Sequence, residues 1–222
     1  MFWEIWFKME DREIEIIETS TRNEKIKNFF SNNFRIIISL VSAILLIIFF
    51  YLFYKTHLEN SRIEISNKYN ITVNNYDESY KDKTLNSLVE VIMDQDKTYS
   101  PLALYFIIEN DLSTPEMVNK YFDIIINEIK LDKNLKYLNI YKKAIYNSDF
   151  ANEDQLLNII NPIIKEENIW RAHALFLMGE YYFSKNEKQK SKEFYIKILD
   201  ENTNNSQIKL EAQKRLQRDF SD

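Results

Sequence analysis

The chain has 222 residues, with 29 basic against 34 acidic side chains, a formal net charge of −5, one glycine, three prolines and no cysteine. So little glycine and proline leaves almost no material for hairpin turns and none for a phosphate-cradling loop, which argues against all-β, dinucleotide-binding and P-loop folds. Without cysteine there are no disulfides, thiol nucleophiles, zinc fingers or cysteine-linked lipid.

In chain order, the first eight residues, MFWEIWFK, stand apart. Either their aromatic side chains lie in a membrane interface, or the true start is Met9, where MEDREIEIIE opens a polar tail; the second reading is preferred. Residues 1–35 hold six basic and seven acidic side chains and form a nearly neutral tail. Ile36 to Tyr54, IIISLVSAILLIIFFYLFY, runs 19 residues without a charge. At about 1.5 Å per residue this crosses a hydrocarbon core of roughly 30 Å. Tyr54-Lys55-Thr56-His57-Leu58 follows in place of a small-x-small cleavage site, so the segment reads as an uncleaved anchor. Arg22, Lys25, Lys27 and Arg35 precede the span and Lys55, Arg62 and Lys68 follow it, a small bias that puts the N-terminus in the cytoplasm.

Residues 55–80 read as a membrane-proximal helix and linker, with Leu58, Ile65, Tyr69 and Val73 on one stripe. Residues 81–222 then read as a run of short helices. Leu85, Leu88, Val89 and Ile92 mark the first. Ser100-Pro101 reads as a cap and first-turn proline opening a helix through Leu102, Tyr105 and Ile108. Ser113-Thr114-Pro115-Glu116 reads as a capping box before Met117, Tyr121, Phe122, Ile125 and Ile129. The next stripe is Leu135, Leu138, Tyr141 and Ile145. Asn152 caps a helix through Leu156, Leu157 and Ile160 that Pro162 ends or bends. Short connections make consecutive helices antiparallel. The expected fold class is all-α: a single transmembrane helix followed by a tetratricopeptide-like helical-hairpin solenoid.

The only legible repeat surrounds the one glycine. Leu175, Met178, Gly179 and Tyr182, then Ser191, Tyr195 and Ile198, follow L-x2-M-G-x2-Y and S-x3-Y-x2-I, the spacing of a tetratricopeptide repeat. Two helices approach closely when one is small at the crossing and large side chains fill the flanks. Trp170 opens this hairpin and is expected to fill space between hairpins. Asn186 sits at its turn, where asparagine tolerates a left-handed backbone. Ile208, Ala212 and Leu216 mark a terminal capping helix, with Leu210 off its stripe. On a separate stripe lie His173, Phe176, Glu180 and Phe183, a candidate groove for apolar peptide segments or a partner helix. Taken singly, the two phenylalanines and the histidine also suit ordinary packing.

The order of tail, span, degenerate hairpins and the segment NPIIKEENIWRAHALFLMGEYYFSKNEKQKSKEFYIKIL resembles the YfgM-like group of membrane-anchored tetratricopeptide proteins, ancillary subunits of the Sec translocon. The likeness runs from Met9 and is strongest over residues 157–216, through Pro162, Trp170-Arg171-Ala172, Gly179, Ser191 and Tyr195. Ser191 and Ile198 stand where that group often has alanine, and Ile169 where it often has proline. The resemblance implies a single-pass protein of a Gram-negative inner membrane with its C-terminal domain in the periplasm. Its implied partners are SecYEG subunits, a membrane-anchored periplasmic chaperone and exported client chains. The same features also suit a scaffold in another envelope assembly, for cell division or outer-membrane biogenesis, or a signalling role for the tail at residues 9–33.

Catalysis is not expected. His57 and His173 lie far apart, no metal-ligand spacing occurs, and no carboxylate pair is singled out by position. The residues after position 35 carry 23 basic and 27 acidic side chains. No basic stripe marks a nucleic-acid partner, and no cofactor or small-molecule substrate is implied.

Overall fold

The computed structural model describes residues 2–200 and 206–220, and among them every regular element is helical. Met1, one of the two candidate starts, lies outside the described residues, as do the side chains of residues 2–8. The helices are α1 (Phe2–Asn74), α2 (Lys81–Met93), α3 (Tyr99–Glu109), α4 (Pro115–Asn127), α5 (Lys133–Asn147), α6 (Glu153–Ile164), α7 (Arg171–Ser184), α8 (Lys188–Asp200) and α9 (Ser206–Asp219). A 3-10 turn at Glu78–Tyr80 precedes α2. Contacts divide the chain into two compact units, Met1–Ser61 and Arg62–Asp222.

The first unit holds α1 up to Ser61, including its apolar run. Its most apolar 18-residue window has a mean hydropathy of 3.0, and none of that window is buried by the protein itself. Phe29, Phe30, Phe34 and the large side chains from Ile44 to Tyr54 are all exposed. A helix apolar on every face has no stable place in water. It is long and apolar enough to span a bilayer, consistent with a single-pass membrane protein.

The second unit begins earlier than the sequence pattern suggests. Residues 62–80, part of the segment read as a membrane-proximal helix and linker, are packed on α2 and α3. The Ser66 hydroxyl donates to the Tyr99 hydroxyl at 2.7 Å, and Lys68 meets Glu90 at 2.7 Å. Tyr69 lies against Tyr99, and Tyr76 sits edge-to-face on Phe106. Ile65, Tyr69 and Val73 of the expected stripe pack against the core, joined by Tyr76, and aromatic rings bury much surface per residue.

Side-chain caps start α4, α5 and α6, with two differences from the sequence pattern. Thr114, not Ser113, has the extended backbone of a cap, and its hydroxyl accepts the Met117 amide, with Pro115 opening α4. Ser100 is not a cap. The Asp96 carboxylate takes the amides of Thr98 and Tyr99, while the Ser100 hydroxyl is buried and donates to the Val91 carbonyl, tying α3 to the end of α2. Asp132 caps α5, and Asn152 and Gln155 form a reciprocal box at α6. Pro162 sits in the last turn of α6, which stops two residues later.

Most of the core is one continuous cluster running from α2 to α7, through Leu88, Ile107, Phe122, Ile140, Leu156 and Met178. A smaller cluster joins α7, α8 and α9 through Leu175, Tyr195, Ile198 and Ala212. In α5 the buried face is Tyr137, Ile140 and Ala144, together with Asn139 and Asn147. The stripe Leu135, Leu138, Tyr141 and Ile145 is rotated away from it, leaving Leu135 and Ile145 exposed. Both sets fit a helical period, and neighbouring helices decide between them. α3 shows the same displacement: Ala103, Leu104 and Ile107 are buried and Leu102 is exposed.

Ile140 is 6% exposed and Leu135 is 39% exposed. Replacing Ile140 with alanine should therefore cost about 2–4 kcal/mol through lost transfer energy and a cavity. Leu135→Ala should cost under about 1 kcal/mol. Paired denaturation curves followed by circular dichroism check this. Equal costs would reverse the assignment of the α5 face.

Candidate functional site

The region around Gly179 is built by the most intimate helix pair in the second unit, α7 against α8. Asn186 joins them with a φ of 61°, and the Asn186 and Glu187 amides donate to the Phe183 and Tyr182 carbonyls. The left-handed residue lets the chain reverse within a few positions and satisfies the last carbonyls of α7. Leu175, Met178, Gly179 and Tyr182 on α7 and Ser191, Tyr195 and Ile198 on α8 are all buried.

Gly179 lies directly under the Tyr195 ring. A Cβ built on Gly179 would stand 2.6 Å from one ring carbon of Tyr195 and 2.9 Å from the next. The Ser191 hydroxyl, also fully buried, donates to the Gly179 carbonyl at 2.8 Å. A helix-interior carbonyl already accepts one backbone N–H, and a short side chain reaches its second lone pair only where the two backbones come close. Small residues on both helices thus bring two backbones together, and one large ring fills the remaining gap.

Trp170 packs at the start of α7. Its indole N–H donates to the Asn134 carbonyl at 3.0 Å, and its ring stacks on Tyr141. Tyr182 stacks on Phe194 and donates its hydroxyl to Glu153 at 2.8 Å, where Lys190 also binds. Those two partners hold the Glu153 carboxyl below the usual carboxylate range. They link α6, α7 and α8 at one point.

The four residues read as a groove, His173, Phe176, Glu180 and Phe183, do not form one open surface. His173 joins Tyr141 and Trp170 in an aromatic group between α5 and α7. Phe176 packs against Tyr195. Glu180 accepts the Tyr195 hydroxyl at 2.5 Å and pairs with Arg215 of α9. Phe183 sits against Phe220 and beneath the Arg215 guanidinium. All four are half-buried, and α9 with the residue after it covers much of the stripe. Arg215 and Phe220 were not legible as part of this arrangement, because they meet α7 only through the fold.

Among the described residues no group of three His, Asp or Glu side chains is placed to hold a metal ion. No family model matches the chain, and no curated protein and no solved structure matches it either.

Two outcomes follow from this geometry. Tyr195 is fully buried and flanked by Phe176 and Phe220, so its ring has nowhere to retreat. Gly179→Ala should destabilise the protein by about 1–3 kcal/mol, overpacking outweighing the roughly 1 kcal/mol that alanine contributes in a helix. A variant that melts at or above the wild-type temperature would contradict the close approach. His173 is the second case. Burial holds its imidazole below the ordinary value of 6.5, with a backbone contact to Ile169 opposing the shift. The unfolded chain therefore takes up the proton first as pH falls, and stability contributed by His173 is lost below about pH 6.5. Melting temperatures at pH 7.5 and 5.5 should fall further for the wild type than for His173→Gln.

Proposed function

We propose that this chain is a membrane-anchored, tetratricopeptide-like protein-binding module rather than an enzyme. In this reading α1 crosses the membrane once, with the tail in the cytoplasm and the helical unit in the periplasm of a Gram-negative envelope. The module is accessory to the Sec translocon, associates with its subunits and with a membrane-anchored periplasmic chaperone, and assists exported chains. The observation that carries it is the α7/α8 hairpin: a helix pair closed over a single glycine, with serine and tyrosine opposite. That pattern supports a repeat scaffold, whose usual use is to present helix faces to other polypeptides. The apolar helix supports the anchor, since a binding unit held at a membrane meets its partners at high effective concentration. The resemblance of residues 157–216 to the YfgM-like group favours the translocon over other membrane assemblies in this reading.

The test is affinity purification of the tagged full chain from detergent-solubilised membranes of its native cells. Recovery of SecY-type subunits is expected, and should weaken in a variant whose residues 36–54 are exchanged for an unrelated span. Recovery of division or outer-membrane assembly proteins instead would move the module to a different envelope complex. Recovery of no membrane partner would overturn the proposal.

A further inference from the structure

A cleft of about 540 Å3 opens where α4, α5 and α6 meet, away from the α7/α8 hairpin. Its volume falls within the range of ligand-binding clefts, roughly 300–1,000 Å3. Asn119 and the buried Asn147 line it, and Phe150 and Ile159 supply apolar walls. Phe150 is 55% exposed, an aromatic ring left at the mouth and held edge-to-face by Tyr146.

The polar atoms of this asparagine pair have a definite sense. Asn119 and Asn147 donate to each other's side-chain oxygens at 3.1 and 2.9 Å. Their remaining amide hydrogens go to the Pro115 and Lys143 carbonyls. All four N–H groups are therefore committed, while each oxygen keeps a lone pair. The cleft can accept hydrogen bonds there and cannot donate them. Lys143, which also lines it, is neutralised by Asp123 at 2.7 Å.

The surroundings are anionic. Asp149 adjoins Phe150 in sequence, Asp154 lies one helical turn before Asn158 of the lining, and both are exposed. Among the described residues neither of these two carboxylates makes an ion pair. Anionic lipid headgroups and nucleic acid are repelled by such a rim, whereas basic side chains are attracted.

We propose that this cleft receives an extended polypeptide segment in which an apolar side chain is flanked by lysine or arginine. The apolar side chain enters between Phe150 and Ile159, and its basic neighbour meets the rim carboxylates. A backbone or guanidinium N–H is taken by the oxygens of Asn119 and Asn147. This rests on the protein-binding reading and gives it a site and a ligand class.

The experiment uses the full chain in non-ionic detergent and a short fluorescent peptide alternating arginine with leucine and phenylalanine. Two controls replace arginine with glutamate, or the apolar residues with serine. Anisotropy should show binding of the basic–apolar peptide and at least tenfold weaker binding of both controls. The double variant Phe150→Ser, Ile159→Ser should lose about tenfold in affinity, close to 1.4 kcal/mol, and melt somewhat lower because Ile159 packs against the core, so Phe150→Ser alone, at a ring 55% exposed, serves as the second variant and should still lose several-fold in affinity. Asp149→Asn with Asp154→Asn should lose affinity several-fold at low salt and flatten the salt dependence. Unchanged binding by the serine double variant would reject the cleft while leaving the protein-binding reading intact. Equal binding of the acidic peptide would reject the ligand class. Failure of the wild type to bind any of the three would also reject the cleft, and partner recovery from membranes then decides the protein-binding reading separately.

Discussion

The missing side chain at Gly179 is the constraint on which the C-terminal third of the molecule depends. Where another residue would carry a Cβ, the Tyr195 ring stands. That substitution of ring for methyl sets the distance between α7 and α8. It lets the Ser191 hydroxyl reach a helix-interior carbonyl and directs the Tyr195 hydroxyl onto Glu180. Glu180 then holds Arg215, and α9 closes over the pair. Each contact relies on the one before it, so the terminal helix is positioned through a gap one methyl group wide. Glycine in a helix interior costs about 1 kcal/mol relative to alanine. The chain accepts that cost here and avoids glycine at its turns, where Gln95, Asp111 and Asn186 adopt left-handed φ angles of 54°, 48° and 61°.

Polar side chains tie neighbouring helices to one another. Ser100 joins α3 to the end of α2, Asn119 and Asn147 clasp α4 to α5, and Glu153 gathers Tyr182 and Lys190. A buried amide or hydroxyl left unpaired costs roughly 1–3 kcal/mol, so such ties fix register as well as contributing energy. Tyr105 illustrates the same economy, with its hydroxyl on Asn139 and its ring under Lys142. Tyrosine is abundant in this chain because it fills space and still reaches a polar partner.

Several features were legible before any coordinates. The apolar run from Ile36 to Tyr54, the Asn152 cap, the left-handed Asn186 and the stripe Ile208, Ala212, Leu216 all express local chemistry: charge, capping geometry and period. What misled was phase. α5 and α3 each carry two apolar stripes about a residue apart, and helical spacing alone ranks them equally. Only the neighbours show that Ile140 is inside and Leu135 outside. Ser113 and Thr114 pose a similar ambiguity, since two hydroxyls precede the proline and either can cap. The groove stripe on α7 was visible as a stripe, but its covering by Arg215 and Phe220 joins residues more than thirty positions apart.

Sequence alone determined that this chain is helical, that one segment suits a bilayer, and where the tightest hairpin lies, because each depends on composition or on spacing within a turn or two. The tertiary structure decided which face of each helix is buried, that residues 62–80 belong to the helical unit, that α9 overlies the α7 stripe, and that a cleft lined by the Asn119–Asn147 pair opens between α4, α5 and α6. Those outcomes depend on which surfaces meet across long stretches of chain, and pattern within a single helix holds no record of its neighbours.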